Sequence, residues 1–191
     1  MNKSSNSFLP RALLLIALVA LSSPVLRAQS RDMWVSGGFT SNRDNAFIGN
    51  GYNIGFRLNF NTSGPFSHEF QYTYSQPSFS LSSDHMEIHQ AGYNFLYYFK
   101  PRESTVRPLI TAGVHVNDFV LPGSVAAPND ISVKFGFNYG VGLKIRLTPL
   151  LGFRADVREY EIGNPSWGGS FTSPGGLLHQ TEASAALGVY F

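Results

Sequence analysis

Histidine and carboxylate residues are the first candidates for chemistry in this chain, because together they can hold a metal ion. His85, Glu87 and His89 follow an H-x-E-x-H spacing, which on a strand places all three side chains on one face. A metal site there is geometrically conceivable. A metal site needs converging ligands, however, and a spacing alone does not establish them. The favoured interpretation is a polar rim at the end of a strand, with no metal or cofactor.

Nucleophilic catalysis requires a hydroxyl or thiol group beside a base, and the chain contains no cysteine. His115 is followed two residues later by Asn117 instead of a serine. His179 and Glu182 lie close together in sequence, but no serine can be assigned to them. We therefore predict no catalytic residues, and we expect His115 to make hydrogen bonds inside the fold.

The composition favours strands and turns. Only 14% of the residues are charged, against about 25% in typical domains. The 16 phenylalanines, nine tyrosines and 19 glycines favour strands and turns over helices. A mean hydropathy of -0.06 argues against a helical membrane protein.

The first 28 residues have the pattern of a secretory signal peptide. Lys3 and Arg11 precede an apolar run of ten residues at 12–21, and a plausible cleavage point follows Ala28. The run is too short to span about 30 Å of hydrocarbon. We expect residues 1–28 to be removed, leaving one domain at 29–191. Removal would take three of the 14 basic residues and none of the 12 acidic ones, so the basic pI gives no argument for nucleic-acid binding.

Alternation of apolar and polar residues recurs eight times, which predicts eight strands of about ten residues. The connections after strands two, four and six are short, at 61–65, 100–107 and 148–150. Those after strands one, three, five and seven are longer, at 41–50, 75–86, 119–131 and 163–178. The predicted strands are 33–40, 51–60, 66–74, 87–99, 109–118, 134–147, 151–160 and 181–191.

Strands of this length and even number fit an all-β fold, an eight-stranded antiparallel up-and-down transmembrane β-barrel. The asymmetry of its connections places the termini in the periplasm and the long loops outside the cell. Outer-face aromatic residues near the strand ends would form interfacial girdles. These are Tyr52, Phe60, Tyr74, Phe99, Tyr139 and Phe191.

Five basic residues decide which face meets lipid. At mid-depth each would cost roughly 2–4 kcal/mol on the lipid side, and together they would exceed a typical domain stability of about 5–15 kcal/mol. They are expected inside the barrel, paired with Glu69, Asp156 and Glu182, and an eight-stranded interior is just filled by such side chains. The five residues are Arg57, Lys144, Arg146, Arg154 and Arg158.

The signal peptide, the eight alternating strands and the terminal LGVYF together resemble the small bacterial outer-membrane β-barrel family, which includes the OmpA transmembrane domain and OmpX-type proteins. The resemblance implies the outer membrane of a Gram-negative type bacterium, with its lipid and lipopolysaccharide as partners. The alternate apolar residues that end at Phe191 resemble the signal read by the barrel-assembly machinery. No peptidoglycan-binding domain follows the last strand, so tethering to the cell wall is not implied.

Three functions remain open for such a barrel. The favoured one is a structural or surface-interaction role, including adhesion through the outer loops, where Trp167 and Phe171 are candidate contacts. A second is a lipid A-modifying enzyme, either a deacylase or an acyltransferase. The deacylase pattern has histidine and serine two residues apart on one strand face, which His115 and Asn117 lack. A third is a narrow ion channel past the basic residues. A soluble ligand-binding barrel is disfavoured, because it would place bulky aromatic residues in water.

Overall fold

A computed structural model describes residues 31–43, 46–80, 83–122, 131–165 and 176–191. Among these residues, no helix is long and apolar enough to cross a membrane. The strands, numbered in chain order, are Arg31–Arg43 (β1), Ile48–Asn61 (β2), Phe66–Phe79 (β3), Glu87–Tyr98 (β4), Val106–Val120 (β5), Ile131–Arg146 (β6), Leu151–Gly163 (β7) and Leu177–Tyr190 (β8).

The eight strands form one closed barrel. Each strand pairs antiparallel with the next, and β1 pairs with β8. The seam between β1 and β8 is joined at its end by two reciprocal backbone hydrogen bonds between Arg31 and Phe191, at 3.1 and 3.0 Å. Because the sheet is closed, no edge strand is left with unpaired backbone N–H and C=O groups, which would be costly in hydrocarbon. The predicted fold class and strand count are confirmed.

The strands have 12 to 16 residues, and all except β4, which ends one residue early at Tyr98, are longer than predicted. The ladder continues beyond the apolar alternation: β3 runs on to Phe79, and β8 begins at Leu177. Consequently the predicted asymmetry of the connections is only partly present. Residues 44–47 form a link as short as residues 62–65, whereas 121–130 and 164–176 are the longer links. We call the end of the barrel that carries these two links the long-loop end, and the opposite end, where Arg31 meets Phe191, the terminal end.

The inner face of the barrel changes in character along its axis. A buried apolar cluster lies toward the long-loop end, a belt of charged side chains lies in the middle, and aromatic residues lie toward the terminal end. A register shift between Ile48 and Gly51 in β2 directs the Ile48 side chain into the lumen, where it joins the apolar cluster. The other buried members are Phe79, Met86, Ile88, Phe119, Leu121, Tyr160, Ile162 and Leu178.

At the terminal end, Trp34 lies across the inner face and is fully buried. Its ring packs against Gly188, where an added Cβ would come 2.5 Å from Trp34 Cδ2 and 2.6 Å from the Met33 carbonyl oxygen. Tyr190 meets the indole edge-on, with ring centroids 5.8 Å apart. Glycine at 188 therefore makes room for the Trp34 indole, the largest fully buried side chain among the described residues.

Candidate functional site

Six charged side chains meet in the middle of the lumen, and we call them the ionic core. Three are arginines and three are carboxylates, so the formal charges balance, and each residue is at most 3% exposed. They come from β2, β3, β7 and β8, whose strands hold them in place from different sides of the barrel. The members are Arg57, Glu69, Arg154, Asp156, Arg158 and Glu182.

The arginines of the ionic core each bridge two carboxylates. Arg57 donates to Asp156 at 2.7 Å and to Glu182 at 2.8 Å. Arg154 donates to Glu69 at 2.6 Å and to Asp156 at 2.8 Å. Arg158 lies 2.8 Å from Glu69 and 3.5 Å from Asp156. The predicted inward orientation of these arginines, and their pairing with the three named acids, is confirmed.

Lys144 and Arg146 also follow the predicted inward parity. Lys144 is 2% exposed and donates to Asp32 at 2.7 Å. Asp32 also accepts a hydrogen bond from the Trp34 indole. Arg146 is only half-buried, and its guanidinium donates to the carbonyl of Arg102 at 2.6 Å. Asp32 was not predicted as a partner of Lys144, because the first strand was predicted to begin at residue 33.

His115 lies on the inner wall between the ionic core and the apolar cluster. Its ring nitrogens contact Asn117 at 2.7 Å, Gln90 at 3.3 Å and the carbonyl oxygen of Phe137 at 3.2 Å. The ring of Tyr160 meets it edge-on at 5.2 Å. Amide and carbonyl partners orient an imidazole but supply no nucleophile. The expectation that His115 makes hydrogen bonds inside the fold is confirmed.

The H-x-E-x-H spacing does not bring its three members together. His85 forms an isolated bridge with Ser78 before β4 begins. Glu87 and His89 share the outer face of β4, with 3.8 Å between carboxylate and imidazole. His89 is also hydrogen-bonded to the Tyr72 hydroxyl at 2.7 Å. Within the described ranges these residues do not converge as three metal ligands.

His179 and Glu182 lie on opposite faces of β8. Glu182 is 1% exposed in the lumen, whereas the His179 imidazole lies on the outer wall, 2.6 Å from Glu161 of β7. Thr181, two residues after His179, donates its hydroxyl hydrogen bond to Glu159 at 2.6 Å. The sequence reasoning missed Glu159 and Glu161 because the predicted outer face of strand seven stopped at Val157. Extending the alternation of strand seven by four residues beyond Val157 would have placed both glutamates on its outer face.

The aromatic residues predicted for the girdles have the outward parity. Tyr52 is 78% exposed, Phe99 59% and Tyr139 49%. Phe66 stacks on Phe95 near the terminal end, with centroids 5.1 Å apart. Such rings suit a membrane–water interface. The candidate loop contacts Trp167 and Phe171 lie outside the described residues.

One family model covers nearly the whole chain. The model described as the outer membrane protein beta-barrel domain matches residues 13–191. No curated protein matches the sequence.

Solved structures with the same fold include Neisserial surface protein A, at 18% identity and a TM-score of 0.65, covering 87% of this chain and 100% of that one. The N-terminal β-barrel domain of Pseudomonas aeruginosa OprF has 15% identity and a TM-score of 0.55, over 86% and 100% of the two chains. The outer membrane enzyme PagL has 16% identity and a TM-score of 0.56, over 81% and 97%. At these identities the similarity shows the fold alone.

Proposed function

The chain belongs to the outer membrane protein β-barrel family, and we propose that it is a non-enzymatic barrel with a closed interior that acts in envelope structure or adhesion. Membership implies the bacterial outer membrane. The single observation that carries the proposal is the ionic core, because it fills the lumen with groups that already neutralise one another.

The ionic core argues against an ion channel on energetic grounds. A permeating ion would have to separate buried pairs such as Arg154–Glu69 and Arg57–Asp156, at 2.6 and 2.7 Å. Breaking a buried pair costs about 3–5 kcal/mol. Beyond these pairs, toward the long-loop end, an ion would meet an apolar cluster whose members are at most 4% exposed. A narrow channel would need both layers to open together.

The orientation and the partners form a second part of the proposal. The long-loop end faces outward, and the terminal end faces the periplasm. Outer-membrane lipid surrounds the apolar wall, lipopolysaccharide contacts the long-loop end, and the last strand, ending at Phe191, is read by the barrel-assembly machinery. The support is the pair of longer links at 121–130 and 164–176 and the exposed aromatic side chain of Phe191.

Planar-bilayer recording tests the closed interior. Barrels that show heat-modifiable gel mobility, and are therefore folded, are expected to insert without producing conductance. A steady ohmic current that grows with the number of inserted barrels would refute the proposal and establish the channel alternative.

Mass spectrometry of lipid A tests the enzymatic alternative. Lipid A from cells with and without the protein is expected to carry the same acyl chains. Loss or gain of an acyl chain that depends on the protein would establish a lipid A-modifying enzyme instead.

Shortening the link at 166–175 tests the adhesive role. Cells that display the shortened barrel are expected to adhere less than cells that display the full chain, at equal amounts of heat-modifiable protein. Equal adherence of both cell types would remove adhesion through this loop from the proposal.

A further inference from the structure

A carboxylate and imidazole cluster lies on the outer wall at the long-loop end, on two neighbouring strands. Glu159 and Glu161 belong to β7 and His179 to β8, and the ladder pairs Glu161 directly with His179. One ligand atom from each of the three residues lies within 4.8 Å of the other two. The next outward row of the same strands is apolar, with Val157 opposite Ala183. The cluster thus borders the lipid-facing belt, within the hydrogen-bonded ladder of β7 and β8.

Among the described residues, the Glu161 carboxylate lies against an imidazole and the Glu159 carboxylate against a guanidinium group. Glu161 is 8% exposed, and its Oε2 atom lies 2.6 Å from His179 Nδ1, in an ion pair whose angles do not make a hydrogen bond. The second carboxylate, Glu159, is bound by Arg43 at 2.5 Å, but the Arg43 side chain is 59% exposed. A buried carboxylate is costly unless it is paired or coordinates a metal.

We propose that Glu159, Glu161 and His179 form a binding site for a transition-metal dication such as Zn²⁺. One imidazole nitrogen and two carboxylate oxygens are ligands that Zn²⁺ accepts, and three protein ligands leave a fourth position open. Bond lengths of about 2.0–2.2 Å require the Glu161 oxygen and the His179 nitrogen to separate by less than about 1 Å. Ca²⁺ and Mg²⁺ prefer oxygen ligands alone and are expected to bind poorly.

The surrounding groups orient the ligands in the way that supporting groups do in metal sites. Thr181 donates to one oxygen of Glu159 at 2.6 Å, and Arg43 donates to the other at 2.5 Å. Arg43 also donates to the Thr181 hydroxyl at 3.1 Å. These bonds fix the Glu159 carboxylate beside the Glu161–His179 pair. The inference does not depend on a closed lumen, because all of these groups lie on the outer wall.

Titration calorimetry with Zn²⁺ on the folded barrel in detergent micelles tests the site. The wild type is expected to bind one ion per chain. Glu161→Gln and His179→Gln are each expected to weaken binding by more than the roughly 10- to 100-fold that loss of a supporting group causes, and Thr181→Val by roughly 10- to 100-fold. His89→Gln is the matched control, because it removes the other outer-wall histidine that lies beside a glutamate, and it should leave binding unchanged.

Gel mobility before and after heating establishes that each variant is folded. The proposal is overturned if folded wild-type barrel binds no Zn²⁺, if His179→Gln binds it as tightly as the wild type, or if His89→Gln loses as much affinity as His179→Gln. Binding of Ca²⁺ as tight as that of Zn²⁺ would also overturn it, since the imidazole would then contribute nothing.

Discussion

Replacing Glu69 by glutamine should destabilise the barrel strongly, although the side chain hardly changes in size. Glu69 is fully buried and binds Arg154 at 2.6 Å and Arg158 at 2.8 Å. It also accepts a hydrogen bond from Asn94 at 3.0 Å. The substitution removes one negative charge and turns an amide donor toward guanidinium donors. Three arginines would then face two carboxylates in a region where each residue is at most 3% exposed.

The expected loss is about 3–5 kcal/mol, the usual cost of removing one partner from a buried ion pair. That is a large share of a typical stability of about 5–15 kcal/mol. Guanidinium unfolding in phospholipid vesicles can measure it, with the fluorescence of buried Trp34 as a reporter. Glu103→Gln makes the same chemical change on an exposed turn and should alter stability by less than about 0.5 kcal/mol.

Charge balance can be separated from lost hydrogen bonds by a second substitution. Arg158→Met added to Glu69→Gln restores equal numbers of arginines and carboxylates in the ionic core. The double variant should therefore be more stable than the sum of the two single losses, by about 1–3 kcal/mol. A free energy of unfolding for Glu69→Gln within about 1 kcal/mol of that for Glu103→Gln, or two single losses that simply add, would show that charge balance in the ionic core does not set the stability.

Two further predictions use the same unfolding measurement. Val141→Lys places a charge on the outer wall and should lower the free energy of unfolding in vesicles by about 2–4 kcal/mol. The control Leu147→Lys, at the strand end, should lower it by about 0–1 kcal/mol. Equal losses would contradict a lipid-facing wall. Gly188→Ala should lower the free energy of unfolding by about 1–3 kcal/mol, because the added methyl group overpacks against Trp34. In the control Gly64→Ala an added Cβ meets nothing closer than 4.0 Å, and the loss should be less than about 0.5 kcal/mol. A Gly188→Ala variant as stable as the wild type would show that Trp34 is not tightly packed there.

The inward orientation of the arginines could be predicted because it depends on one local property. Strand parity is read directly from alternation, and hydrocarbon strongly disfavours charge on one of the two faces. The inward orientation of Arg57, Arg154 and Arg158 follows from these two facts alone. The contacts of Arg154 and Arg158 with Asp156 join residues two apart on one strand. Which other carboxylate each arginine contacts could not be predicted, because those contacts join distant strands and depend on how the closed sheet is sheared.

The sites that the sequence did not reveal lie where apolar alternation ends but the ladder continues. Asp32 precedes the first predicted strand residue, and Glu159 and Glu161 follow the last apolar residue on their face. The register shift at Ile48 has no signature in the alternation, yet it decides that Ile48 is buried in the lumen. Backbone hydrogen bonding sets the strand ends, whereas hydropathy marks only the part of each strand beside lipid.

The ionic core also constrains the order in which this chain can assemble. Arg57 lies 99 residues from Asp156 and 125 residues from Glu182 along the chain, so these charges neutralise one another only when β2 is already near β7 and β8. A half-inserted sheet would carry bare guanidinium groups into hydrocarbon. The sheet must therefore curve toward a closed barrel before it inserts into the membrane. Insertion of one strand at a time is strongly disfavoured energetically.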